Sequence, residues 1–368
     1  MTRAGGLWAT VTSARNLLDA ALAAAAGKRK RPDVAAFLLN VEPEILRLRR
    51  ELFGGVYQPG PYREFLVADP KPRRISAAPF RDRVVHHALT RVLEPIFERR
   101  FSAHSFACRK GMGVHQALAL AARSVRRFPY VLKCDVRKYF ASIDHEILLG
   151  QIARVVKCPP TLGLINQIVA SYTNEDAAAL GYFSGDTLFT PFERRRGLPL
   201  GNQTSQFFAN VYLNSLDNRI EQQLQPGAYV RYVDDFLLLS GEKTELTAMQ
   251  QQVSSWLAEV RLRLHAGKSR IYRSCDGVTF LGWRIFPQTL RLARPNVVEF
   301  RRRLLEIQAG YQAGSIAWEK VEARVKAWIA HASHGDTYRL REQIFSEFAF
   351  SEPKPEPLGS APVRGSSR

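Results

Sequence analysis

The sequence predicts an α+β fold closed by an all-helical end. Three observations carry that expectation. Short apolar runs of strand length are interspersed with helix-length amphipathic stretches as far as residue 286. Beyond it, three helix-periodic stretches follow with no strand between them. Finally, 46% of the 368 residues are apolar, enough to bury a core, which excludes a wholly disordered chain.

Residues 13–26 read as a helix behind a Ser13 cap, ended by Gly27 and the basic cluster Lys28-Arg29-Lys30-Arg31. A second, basic helix covers 43–53, with Leu46 and Leu48 among Arg47, Arg49 and Arg50. Residues 62–67 alternate weakly as a strand, stopped by Asp69, Pro70 and Pro72. Over 81–97, Val84, Val85, Ala88, Leu89, Val92, Leu93 and Ile96 recur at helical spacing. A helix over 114–127 precedes a compact apolar strand, 130–136, that carries Asp135. Helices follow at 144–156 and 161–172, then a segment of no clear period containing Arg194-Arg195-Arg196. A long amphipathic helix spans 201–224, two apolar strands flank Asp234-Asp235, and another helix spans 244–262. Short strands occupy 270–286, and helices over 296–313, 316–332 and 337–349 close the folded part. Residues 351–368, rich in proline, serine and glycine, are expected to be disordered.

Lysine and arginine number 53 against 34 aspartates and glutamates, a formal charge of +19. That excess suits a polyanion, nucleic acid first and an anionic membrane second. No stretch approaches the roughly 20 apolar residues of a spanning helix. The alanine-rich run 20–26 follows Asp19 and precedes a basic cluster, so neither a signal peptide nor a span fits. Cysteines 108, 134, 158 and 275 form no Cys-x-x-Cys pair, against a disulfide framework or a Cys-rich zinc site. The expectation is a soluble cytoplasmic protein that handles nucleic acid.

The most informative run is Tyr232-Val233-Asp234-Asp235-Phe236, two adjacent acids between apolar strands. Taken alone it also suits a solvated hairpin turn. A second acid, Asp135, closes the buried strand Leu132-Lys133-Cys134-Asp135, with the aromatic Phe140 five residues on. Carboxylates crowded at strand ends repel one another unless a cation sits between them. Three of them can hold two Mg²⁺ ions, which stabilise both the attacking and the leaving oxygen of an in-line phosphoryl displacement. With the basic charge, this points to nucleotidyl transfer on a nucleic acid.

An ordered series of blocks over roughly residues 60–290 resembles a reverse transcriptase. The blocks are Lys71-Pro72-Arg73-Arg74-Ile75 with Phe80-Arg81-Asp82-Arg83, Phe106-Ala107-Cys108-Arg109-Lys110-Gly111, residues 135–140, residues 197–206, residues 232–236, and Phe280-Leu281-Gly282-Trp283. Most reverse transcriptases, those of group II introns and retrons included, carry Gln-Gly and later Ser-Pro in the glycine block. Here Leu200-Gly201 and Ser205-Gln206 stand there, which resembles the diversity-generating retroelement class. Residues 60–67 and the run His331-Ala332-Ser333-His334-Gly335-Asp336-Thr337 are similar to the phage member of that class.

The resemblance implies a right-hand polymerase fold: a basic N-terminal helical extension (1–59), interleaved fingers and palm with an antiparallel sheet (60–290), a helical thumb (291–350) and a tail (351–368). Asp135, Asp234 and Asp235, with the Val136 carbonyl, would bind two Mg²⁺ ions, Mn²⁺ being a substitute. Lys71, Arg73 and Arg74 would grip the dNTP triphosphate; a solvated charge run would read the same. Phe140 would sit beneath the sugar and exclude a 2′-hydroxyl, or simply pack in the core. Gly201 and Asn202 would let the backbone approach template and nucleotide, unless they merely start a helix, for which Asn202 is a reasonable cap. Leu200 and Gln206 belong to the same nucleotide-binding block. Lys268, in Leu264-His265-Ala266-Gly267-Lys268, matches the proton donor to pyrophosphate, though a surface lysine would look alike.

Phe280 to Trp283 would form the primer grip or a buried strand, and Arg194–Arg196 would contact phosphate or form a solvated loop. His86, His87 and His115 show no paired ligand pattern and read as core or surface residues. The class implies copying of a template repeat RNA into adenine-mutagenised cDNA (mutagenic retrohoming), with a small basic accessory protein oligomer as partner and no membrane. Two rivals stand beside it: a defence-associated or group II intron/retron-like reverse transcriptase, and a non-catalytic RNA-binding scaffold.

Overall fold

In a computed structural model the described residues are 3–67, 72–176, 181–348 and 350. The chain opens with helices α1 (Trp8–Val11), α2 (Ala14–Ala25), α3 (Pro32–Leu39) and α4 (Val41–Phe53). Ser13 caps α2 by accepting the Asn16 amide at 3.2 Å, as the sequence suggested. Helices α1 and α3 are too short for a periodic signal. A two-stranded antiparallel ribbon follows, β1 (Arg63–Val67) against β2 (Arg73–Ala77), Phe65 opposite Ile75. Strand β2 is the basic run Arg73-Arg74-Ile75, whose composition gives no strand signal on its own.

Helix α5 (Phe80–Glu98) buries Val84, Val85, Leu89 and Leu93 in one core with Leu17, Ala20, Ala21 and Ala24 of α2. The alanines let the two backbones approach, and Asn16 Nδ2 donates to the Ala88 carbonyl at 2.9 Å. After α6 (Val114–Arg127) and β3 (Tyr130–Asp135) come the short α7 (Tyr139–Ser142), then α8 (His145–Ala153), α9 (Pro159–Ala170) and α10 (Thr190–Glu193). Helix α11 runs Gln203–Arg219 and widens into a π-turn at Ile220–Leu224. It begins two residues later than its hydrophobic pattern suggests. Gly201 has φ +109° and Asn202 is extended, so neither can be a first helical residue.

Strands β4 (Ala228–Tyr232) and β5 (Asp235–Ser240), helix α12 (Lys243–Glu259) and β6 (Arg270–Arg273) complete the main sheet. Its order is β4-β5-β3-β6, and every neighbouring pair is antiparallel. Successive strand residues point to opposite faces. Leu132, Cys134, Phe236 and Leu238 face one core, while Val131, Leu237, Leu239 and Val230 face another. Being covered on both sides explains why these strands read as unbroken apolar runs.

A second sheet, β7 (Val278–Phe280), β8 (Trp283–Ile285) and β9 (Leu290–Leu292), packs on the second core. Helices α13 (Arg294–Gln312), α14 (Trp318–Ala332) and α15 (Tyr338–Glu347) follow, held by Phe300 stacked on Trp328 at 3.7 Å between centroids. The loop between α14 and α15 docks on that sheet: Asp336 takes both polar groups of Leu290, N–H and C=O, at 2.7 Å each. Gly335 lies so close that a Cβ would stand 2.3 Å from the Trp283 ring. Among the described residues no helix is long and apolar enough to cross a membrane. Lys71, Asp69, Pro70 and the 351–368 tail lie outside the described residues.

Candidate active site

The two acids of the Tyr232–Phe236 run stand at a hairpin turn. Strand β4 ends at Tyr232, Val233 and Asp234 make the turn, and Asp235 begins β5. Val233 has φ +58°, a costly conformation for a β-branched residue. The turn is stitched to the neighbouring strand by the Val136 amide, which donates to the Asp234 carbonyl at 3.1 Å. Asp135, the last residue of β3, lies directly opposite Asp235 in the ladder. Beyond it the chain is fixed to 263–265: the His265 amide donates to the Asp135 carbonyl at 2.7 Å and Arg137 to the Arg263 carbonyl at 2.8 Å. All three acids therefore meet at one end of the sheet, with Val136 beside them.

Two lysines answer this charge. Lys268, though exposed, reaches Asp135: its Nζ lies 3.0 and 3.2 Å from the two carboxylate oxygens. Lys133 Nζ lies 3.1 Å from Asp235 Oδ2 and also donates to the Thr279 carbonyl at 2.8 Å. Burial nonetheless pushes the Asp235 carboxyl up to about 6, with Asp135 and Asp234 adding to the effect and Lys133 opposing it. Asp234 is raised for the same reasons, burial first and Asp135 after it, against the pull of Lys268 and Arg73. Among the described residues no three acidic, histidine or cysteine side chains are gathered so that they could hold a metal ion as they stand; Asp135 and Asp235 turn to the ammonium groups instead. The donor set still fits a hard divalent ion. It is all oxygen, Asp235 Oδ1 is buried with no hydrogen-bond partner, and added positive charge would relieve both raised carboxyls.

The ribbon approaches the same end. Arg73 and Arg74 are exposed on β2, and Arg74 Nη1 lies 3.5 Å from Glu64. The seam with the glycine block is tight. The Ser76 amide donates to the Leu200 carbonyl at 3.0 Å, and a Cβ on Gly201 would stand 2.8 Å from Ile75. Asn202 does not cap α11 with its side chain; it accepts from the Ala78 amide at 3.2 Å and donates to the Ser76 carbonyl at 3.0 Å. A cleft of about 800 Å³ opens here, lined by Tyr62, Arg74, Phe140, Leu198 and Leu200 among others. Gln206 is exposed on α11 and does not line that cleft.

The reading of Arg194–Arg196 as phosphate contacts or a solvated loop is corrected for two of its three residues. Arg194 pairs with Asp186 and with Asp144 at 3.3 Å, and buried Arg196 donates to the Pro191 carbonyl at 2.9 Å. These guanidiniums clamp the chain between α9 and α11, while Arg195 stays exposed and donates to the Ala170 carbonyl at 2.6 Å. Phe280 and Trp283 are fully buried strand ends joined by a turn with Leu281 at φ +49°. His86 is buried, and His115 stacks on His334 at 3.7 Å. Lys133, and a buried Arg231–Asp217 pair behind the turn, escaped the sequence reading; charged letters inside apolar strands were the available signal for Lys133 and Arg231.

Several known proteins resemble this chain to different extents. A family model described as reverse transcriptase (RNA-dependent DNA polymerase) matches residues 68–285. Protein YkfC of Escherichia coli (strain K12) is 27% identical over 301 residues, 71% of this chain and 75% of YkfC. The group II intron-encoded protein LtrA of Lactococcus lactis subsp. cremoris is 27% identical over 184 residues, 49% of this chain but only 29% of LtrA. Apo telomerase from Candida Tropicalis, truncated from its C-terminal domain, aligns with 66% of this chain and 59% of its own at TM-score 0.47 and 12% identity. That last likeness is too loose to add to the geometry above.

Proposed function

Because the chain belongs to the reverse transcriptase (RNA-dependent DNA polymerase) family and has a right-hand polymerase fold, we propose that it copies an RNA template into DNA for a diversity-generating retroelement. The observation that carries the chemistry is the meeting of Asp135, Asp234 and Asp235 at one sheet end. In this reading Asp135, Asp234, Asp235 and the Val136 carbonyl hold two Mg²⁺ ions, or Mn²⁺ in their place. Bound there, such ions neutralise charge on the attacking and leaving oxygens of the primer 3′-hydroxyl and pyrophosphate. Arg73 and Arg74, with Lys71, orient the triphosphate, because phosphoryl transfer asks mainly for positioning and charge. Phe140 closes the space under the sugar, Leu200, Gly201 and Asn202 shape the floor near the nascent pair, and Lys268 protonates the departing pyrophosphate. Gln206, exposed on α11, is left with a contact to template rather than to nucleotide.

The palm and fingers are then residues 60–290, the thumb 291–350, and residues 1–59 a helical extension packed on α5. Leu200-Gly201 and Ser205-Gln206 support the retroelement class, whose template repeat RNA, adenine errors and basic accessory protein come with it. The likeness to LtrA favours a second reading, a polymerase that works with a group II intron. A template repeat beside the gene would select the first, intron boundaries the second. The enzymatic core is tested by metal-dependent dNTP incorporation on an RNA template. Asp234→Ala should lose all synthesis, at least about a thousandfold, while RNA binding persists; full synthesis by that variant would remove the site.

A further inference from the structure

Behind the Asp234 turn lies a pair of charges that no solvent reaches. Arg231 and Asp217 are both 0% exposed and joined by two hydrogen bonds, Nε to Oδ1 at 2.6 Å and Nη2 to Oδ2 at 2.5 Å. Tyr229 adds its hydroxyl to Asp217 at 2.6 Å, and Asn210 Oδ1 accepts from Arg231 Nη1 at 3.3 Å. The backbone of Arg231 is gripped as well, its amide by the His104 carbonyl at 2.8 Å and its carbonyl by the Phe106 amide at 2.9 Å. Buried ion pairs seldom stabilise a fold more than well-packed apolar side chains would. What this pair does that leucine and methionine could not is present one more N–H. Arg231 Nη1 donates to the Val233 carbonyl at 3.0 Å. Val233 is the β-branched residue at φ +58°, and such a conformation persists only where its surroundings hold it.

We propose that Arg231, anchored by Asp217, is a positioning residue for DNA synthesis: its guanidinium holds the Val233 carbonyl and so keeps the left-handed turn that sets Asp234 beside Asp135. The proposal rests on Asp234 being catalytic. Arg231 touches no reacting atom; it acts through two peptide units. Asn210 extends the anchor, since its Nδ2 donates to the Ala107 carbonyl at 2.8 Å.

Removing Arg231 alone would leave Asp217 charged and unpaired, and the chain would not fold soundly. The test therefore replaces the whole polar group with apolar residues of similar size: Arg231→Met, Asp217→Leu and Tyr229→Phe together. This triple variant should melt near the parent and bind primer–template as the parent does. Its kcat should fall about 10- to 100-fold, the cost of a misplaced reacting group, with the dNTP KM nearly constant. Adding Val233→Gly, which takes φ +58° without strain, should restore a large part of the lost kcat. A folded triple variant with parental kcat would overturn the proposal. So would a loss that tracks melting temperature and template binding, which marks a purely structural pair, or a loss that Val233→Gly leaves unchanged. Asp234→Ala measured alongside separates the two ideas: synthesis by that variant defeats the catalytic assignment, whatever the triple variant does.

Discussion

The acid-bearing end of the main sheet and the base-bearing ribbon are held in opposite ways. Around Asp135 and Asp235 the apolar strand residues are buried, and each of these two carboxylates faces a lysine. In the ribbon, all five residues of β1 are exposed, as are Arg73 and Arg74 of β2. Two strands alone are marginal in water. This pair leans on the glycine block through the Leu200 carbonyl and the Asn202 amide. The difference suits the proposed chemistry. Carboxylates must stand at fixed separations, whereas groups that meet a nucleotide must admit it and release product. Precision is concentrated in the sheet and access in the ribbon.

That contrast breaks most visibly if both regions are disarmed separately. Asp135→Asn should depress kcat by about a thousandfold or more, since a fixed charge facing the reacting groups is lost. Arg73→Ala should instead raise the dNTP KM about tenfold and change kcat little, since an exposed charge-assisted contact is worth roughly that much. Steady-state kinetics of both variants on one template decide, and equal kcat losses would erase the distinction.

Acidity sharpens the comparison next. Asp235, lifted to about 6 chiefly by burial, is ionised above that pH and takes a proton below it. Half-saturation by Mg²⁺ should therefore rise as pH falls through 6, by up to about tenfold per unit. Titration at pH 5.5 and 7.5 measures this, and Asp235→Asn should flatten the dependence. Smaller again is Phe140→Ala, which opens the cleft beneath the sugar. Ribonucleotide use relative to deoxyribonucleotide should rise about tenfold, and unchanged discrimination would leave Phe140 as packing alone. The smallest effect belongs to the seam. Leu200→Gln adds a polar constraint worth about 1 kcal/mol, so errors opposite template adenine should fall several-fold at most. Deep sequencing of cDNA from both proteins gives the ratio.

The main sheet was legible because two acids between unbroken apolar runs can hardly be anything but a turn joining buried strands. Asp135 was legible for the same reason, as the acid that ends such a run. Charge runs were not. Arg194, Arg195 and Arg196 carry identical letters, yet Arg194 is answered by Asp144 far back in the chain, Arg196 is buried against the Pro191 carbonyl, and Arg195 remains exposed. Spacing cannot reveal such pairing. Arg231 and Asp217 stand on a strand and a helix and meet only after the chain folds back beyond Leu224. Lys133 carried no role in the sequence, because only the packing of the second sheet supplies the Thr279 carbonyl that it meets. Asn202 looked like a helix cap and is instead a clasp between α11 and the ribbon, a role set by where Ser76 lies.

Asp336 also bears on how much of a sheet edge is left open. Strand β9 is the rim of its sheet, and a bare rim offers N–H and C=O groups to any extended chain that drifts past. By taking both groups of Leu290 for itself, the loop between α14 and α15 works as a stopper. The same clasp that seats the closing helices thus leaves Leu290 unable to pair with a further strand.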